Sequence, residues 1–105
     1  MKLRIDPTQI RFRLSEQEAE KLLAEQMITE TLHLPLGQKI NYLIKIADDI
    51  NLNYADNILT LTVPSEQLEY LIKNPSKKGL SSTYQEQNKN IIFLLQIDLA
   101  CDLNC

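Results

Sequence analysis

Arg4, Arg11 and Arg13 are the only arginines in the chain, and strand alternation puts all three on the polar side of one N-terminal hairpin. Guanidinium forks match carboxylate and phosphate oxygens, so the first chemistry on offer is the grip of a small anion or nucleotide. Glu30 is the candidate fourth member. It shares strand parity with Ile28, Leu32 and Leu34, where burial would demand a cationic partner or an upward pKa shift. Two plainer readings stand beside this one: a solvated basic face whose long stems shield the sheet, and a structural ion pair between Glu30 and an arginine of the hairpin.

The remaining candidates are weaker. His33, the sole histidine, lies on the Thr29 and Thr31 side of its strand, and with two C-terminal cysteines it makes a poor metal set. Cys101 and Cys105 depart from the CxxC redox spacing and read as plain tail cysteines. Glu16, Glu18, Glu20 and Glu25 are explained by a helix surface and its dipole. An acid–base pair of Glu30 with Asp98 is a third possibility, but no spacing brings the two together. No set of nucleophile, base and orienting group can be assembled, so no catalytic residue, metal or cofactor is expected and the reading leans away from an enzyme.

Composition narrows the classes further. At 105 residues, with 44% apolar and 24% charged residues, the chain suits one soluble domain able to bury its own core. Lys and Arg total 11 against 14 acids, a net charge of −3, which lacks the overall basic footprint of a nucleic-acid binder. With 2 glycines, no Gly-rich phosphate loop can be written. No signal-peptide core precedes the first strand and no apolar run approaches a membrane span, so a cytoplasmic protein without membrane contact is expected.

The elements that must position these residues follow from pattern. Leu3 and Ile5, then Ile10, Phe12 and Leu14, alternate around Asp6-Pro7-Thr8 and predict a hairpin. Ser15 with Glu18 is a capping box, and Ala19, Leu22, Leu23 and Met27 form the stripe of the helix it opens. Strands follow at Ile28 to Leu34 and, after the turn Pro35-Leu36-Gly37-Gln38, at Lys39 to Ala47. The second half predicts a strand at Leu52 to Ala55, a turn at Asp56-Asn57, a strand at Ile58 to Val63, and a helix capped by Ser65 with stripe Leu68, Leu71 and Ile72. It closes with a polar strand from Gly79 to Gln87 and an apolar one from Ile91 to Leu99.

Ser15-Glu16-Gln17 recurs as Ser65-Glu66-Gln67, and Ile40 to Ile46 is echoed by Ile91 to Ile97 at nearly the same offset. The expected fold is therefore α+β, a mostly antiparallel curved sheet or barrel of about eight strands with two helices and an internal pseudo-twofold repeat of strand-strand-helix-strand-strand. The half-repeats are 1–50 and 51–100 within a single domain 1–100, with 101–105 a tail. A swapped-hairpin barrel like that of bacterial transition-state regulators is the alternative architecture, suggested by Val63-Pro64 leading into a short helix.

With those elements placed, the chain resembles a family of small uncharacterised bacterial proteins that open with a hairpin of the MKIRI…IRxRL kind. The residues carrying the resemblance are Met1 to Ile5, Ile10 to Leu14, Glu18, Glu30, Tyr42, Asp56-Asn57, Val63-Pro64, Asp98 and Cys101. Gln96-Ile97-Asp98-Leu99 stands where the family-like Glu-Lys-Asp-Phe is expected. The resemblance implies the architecture and no activity.

The leading functional expectation is a non-enzymatic interaction module with an unknown protein partner, a homodimer being the simplest case. Its motive is the strand Ile91 to Ile97, too apolar to be left as a bare edge. The alternative is a binder of a small anion or nucleotide through Arg4, Arg11, Arg13 and Glu30.

Overall fold

A computed structural model describes residues 1–76 and 78–98. The chain order is β1 (Lys2–Asp6), β2 (Gln9–Leu14), α1 (Glu16–Glu25), β3 (Met27–His33), β4 (Lys39–Ile46), β5 (Asn51–Ala55), β6 (Ile58–Val63), α2 (Ser65–Lys73), β7 (Leu80–Glu86) and β8 (Lys89–Ile97). Eight strands and two helices make the fold α+β, as the pattern predicts.

Local chemistry explains most of these boundaries. Two-residue turns join β5 to β6 and β7 to β8, and their residues Asp56, Asn57, Gln87 and Asn88 all take positive φ, the geometry that matches strand twist in tight hairpins. Ser15 caps α1: its hydroxyl accepts from the Glu18 N–H while the Glu18 carboxylate accepts from the Ser15 N–H, at 3.1 and 3.0 Å. The expected cap at Ser65 is not formed. Ser65 is already the first residue of α2, and Pro64 occupies the cap position with no side-chain hydrogen bond to offer. The echoed triplet thus does different work in its two places.

The sheet arrangement corrects the expectation of one antiparallel curved sheet or barrel. Two four-stranded sheets form, ordered β1-β2-β8-β7 and β3-β4-β6-β5, and neither closes into a barrel. The hairpins are antiparallel, but the central pair of each sheet, β2 with β8 and β4 with β6, is parallel. The reason is that β2, β4, β6 and β8 are each the second strand of a hairpin and return in the same sense. Joining hairpins through those strands therefore makes a parallel seam. The apolar strand β8 lies between β2 and β7, so its pairing edges are satisfied within the chain and need no second copy.

The core draws on both sheets and both helices. Phe12, Leu14, Ala19, Leu22, Ile44, Leu61, Val63, Leu68 and Leu95 are fully buried, each large aliphatic or aromatic side chain contributing on the order of 1.5–3 kcal/mol. Leu14, Val63 and Ile97 end their strands beside the helices, and α1 packs on α2, β2, β3 and β4. The helices therefore close one end of the sandwich. The opposite end carries the hairpin turns.

Candidate functional site

At the turn end the sheets enclose a cleft of about 630 Å³. Its walls follow a rule visible in the ladder registers. Each hairpin contributes an inward-facing pair near its turn: Ile5 opposite Ile10, Leu32 opposite Ile40, Tyr54 opposite Leu59, and Tyr84 opposite Ile91, with the charged pair Glu86 and Lys89 one step nearer the turn on the same face of the last hairpin. Tyr42, Leu52 and Phe93 lie one step deeper, and no charged side chain among the described residues lines the space. This is the size and mostly apolar character of a small-molecule site.

The edge-strand members of these pairs are the most exposed. Ile5 is 62% and Tyr54 59% accessible, while Leu59, on an inner strand, is 8%. The Tyr54 hydroxyl donates to Asn57 Oδ1 at 3.4 Å and that of Tyr84 to Glu86 Oε2 at 3.3 Å, so both rings are tethered to their own turns. Tyr42 differs. Its hydroxyl makes none of the side-chain hydrogen bonds formed among the described residues. Burial, and then the negative charges of Glu30 and Glu18, push the Tyr42 phenol above its ordinary pKa, so it stays protonated through the neutral range.

Behind Tyr42 lies a small polar cluster. The Met1 amine, itself buried, pairs with Glu18 Oε2 and stands 4.0 Å from Glu30 Oε1. Burial pushes the Glu18 carboxyl up, but hydrogen bonds from the Met1 amine and the Ser15 N–H outweigh it and leave the group below its ordinary value. Glu30 directly faces Tyr42 across β3 and β4. Its side chain is 48% exposed, so the inward parity seen in the sequence does not bury it at the sheet edge. Its neighbour is the Met1 amine, where an arginine of the hairpin was expected.

The three arginines share the outer face of β1–β2 and are not gathered around Glu30. Arg4 and Arg11 are ladder partners. Arg11 Nη2 donates to Gln9 Oε1 at 3.2 Å, and its Nε is buried without a partner among the described residues. Arg13 Nη2 is 2.5 Å from Asp98 Oδ1, which engages Asp98 separately from Glu30. Arg11 is the ladder partner of Leu94, which is buried on the outer side of β8. His33 is exposed at the end of β3, and no metal-holding group of His, Cys, Asp or Glu exists among the described residues. Cys101, Cys105 and the tail lie outside the described residues. Among those described, no helix is long and apolar enough to cross a membrane.

Sequence reasoning missed the cleft. Its available signal was a bulky pair near every hairpin turn, Tyr54 and Tyr84 among its members.

The fold and cleft define an α+β protein of two mixed sheets with an apolar seat at the turn end. The chain belongs to the family of unknown function DUF7009, whose pattern it matches over residues 1–104. No curated protein and no solved structure matches it.

Proposed function

We propose that this protein is a non-enzymatic binding module whose seat is the cleft between the sheets. The observation that supports this reading is the convergence of four tip-proximal apolar pairs, one from each hairpin, on a single uncharged space of about 630 Å³. Apolar surface held open at such a place gains free energy when a guest replaces water. Thermal-shift screening of lipophilic compounds tests the reading. A bound compound at about one hundred times its Kd stabilises by roughly 2.7 kcal/mol, and Ile40→Trp, which fills the cleft from its rim, should abolish the shift. Failure of every compound to raise the melting temperature would sink it.

A second reading rests on the rim itself. Ile5, Leu32, Tyr54 and Tyr84 are large, exposed and clustered at one end, a surface that a second copy of the chain could cover as a homodimer. Sedimentation at high protein concentration decides it, because a monomer there removes the dimer.

We also read the chain as two copies of one unit. Exchanging β1, β2, β3 and β4 with β5, β6, β7 and β8 turns one sheet order into the other and carries the parallel pair β2–β8 onto β6–β4. The test is to join the present termini by a linker and open the chain between β4 and β5. On this reading the permuted protein folds with wild-type cooperativity, and loss of a cooperative transition would count against it.

A further inference from the structure

We propose that the guest of the cleft is an uncharged lipophilic molecule carrying a carbonyl-type acceptor, which the Tyr42 hydroxyl meets at the cleft floor. This inference rests on the cleft being the binding seat. Three observations carry it. First, the lining holds no charged side chain among the described residues, so a guest's ionic group would have to be desolvated without a partner, a cost that selects neutral molecules. Second, the polar groups on the walls are few and unequal. Tyr54 and Tyr84 hold their hydroxyls on Asn57 and Glu86, whereas the Tyr42 hydroxyl has no hydrogen-bond partner among the described residues. Asn51, the other polar residue of the lining, turns its Oδ1 to the Leu52 N–H; a hydroxyl left unengaged on an apolar wall is the kind of group that fixes a ligand's orientation.

Third, the charges behind Tyr42 set the polarity. Glu30 stands directly opposite it on the neighbouring strand, and Glu18 lies close enough to raise its pKa. The Met1 amine is drawn onto these two carboxylates. A carboxylate or phosphate entering toward Tyr42 would therefore approach acidic groups whose cation is already engaged. A phenol is protonated at neutral pH, and burial and then these carboxylates only raise its pKa further, so it offers an O–H to a neutral ketone, ester or amide oxygen.

The test uses the whole chain and three probes of similar ring size: prodan, which is an uncharged naphthyl ketone, propylnaphthalene, which lacks the acceptor, and the anionic anilinonaphthalene sulfonate. Prodan should bind saturably with a blue shift of its emission. Tyr42→Phe, a change that keeps the ring in place, should weaken prodan roughly five-fold, the worth of one neutral hydrogen bond. It should leave propylnaphthalene, measured by competition, unchanged. The sulfonate should fail to displace prodan. If Tyr42→Phe holds prodan as tightly as the wild type, or if the sulfonate displaces it at equal concentration, the proposed ligand class is wrong while the cleft still binds. If none of the three probes binds, the class and the binding seat fall together.

Discussion

Arg4 and Arg11 stand directly opposite one another across the β1–β2 ladder. Like charges in that position oppose strand pairing by a few tenths of a kcal/mol up to about 1 kcal/mol. The neighbouring pair, Lys2 and Arg13, is compensated by Asp98. Compensation at Arg4 and Arg11 is thinner, since Arg11 meets the neutral Gln9 and Arg4 has no ion pair among the described residues, interacting there with the exposed Asp6 at a distance. Arg4→Glu should therefore stabilise the protein by about 0.2–1 kcal/mol, with the gain shrinking as salt is added. Urea denaturation at low and high ionic strength measures both effects. The same variant bears on the anion-binding alternative: phosphate should raise the melting temperature of the wild type and not of Arg4→Glu if the opposed arginines hold an anion.

Ser15 and Ser65 look alike in sequence and act differently. Ser15 closes a reciprocal box with Glu18, so Ser15→Ala should cost about 1 kcal/mol. Ser65 sits inside the first turn of α2 behind Pro64 and caps nothing, so Ser65→Ala should cost no more than a few tenths, alanine being the better helix former. Equal losses in paired urea melts would mean that the second serine also caps in solution.

Glu18 supplies an acid-side dependence of stability. Its folded pKa lies below the ordinary value of 4.5 because the Met1 amine and Ser15 hydrogen bonds outweigh burial. A depressed carboxyl contributes stability that is fully present above the unfolded value and is lost as pH falls through the folded one. Urea midpoints should therefore fall below about pH 4.5, and Glu18→Gln should flatten that part of the profile while lowering stability near neutrality. An unchanged profile in the variant would assign acid sensitivity to other carboxylates.

The local devices of this fold were legible in the sequence because their causes are local. Ser15 with Glu18 fixed the start of α1, alternation fixed the inward residues of β1, β2 and β6, and Asp56-Asn57 marked a tight turn. The parallel partner of β2 was not legible. Leu14 and Ile97 are ladder neighbours from opposite ends of the chain, and no local pattern distinguishes a parallel seam from an antiparallel one when both strands are apolar. The cleft was hidden for a related reason. Ile5 and Leu32 follow core alternation, and Tyr54 and Tyr84 stand on strands with a weak apolar pattern, yet all four line open space near the hairpin turns. Glu30 is the reverse case: its parity pointed inward, and only its place on edge strand β3 leaves it half exposed.

The two glycines give the sharpest contrast for mutagenesis. Both hold positive φ, +75° at Gly37 and +61° at Gly79, a conformation that costs any side-chain-bearing residue of order 1 kcal/mol. At Gly37 a Cβ would meet nothing within 4 Å, so Gly37→Ala should cost about that amount and no more. At Gly79 the Cβ would lie 2.0 Å from the Leu95 carbonyl oxygen, a backbone atom of the central strand β8 that cannot swing aside. The entry to β7 would have to move off β8, disturbing the ladder that begins with Leu80 opposite Leu95. Gly79→Ala should thus destabilise by several kcal/mol, at the upper end of single substitutions, and should broaden the amide signals of β7 before those of the other hairpins. Denaturation of the two variants side by side, with amide exchange along β7, checks the order; a Gly79 variant no weaker than the Gly37 variant would mean that β7 enters the sheet by another path.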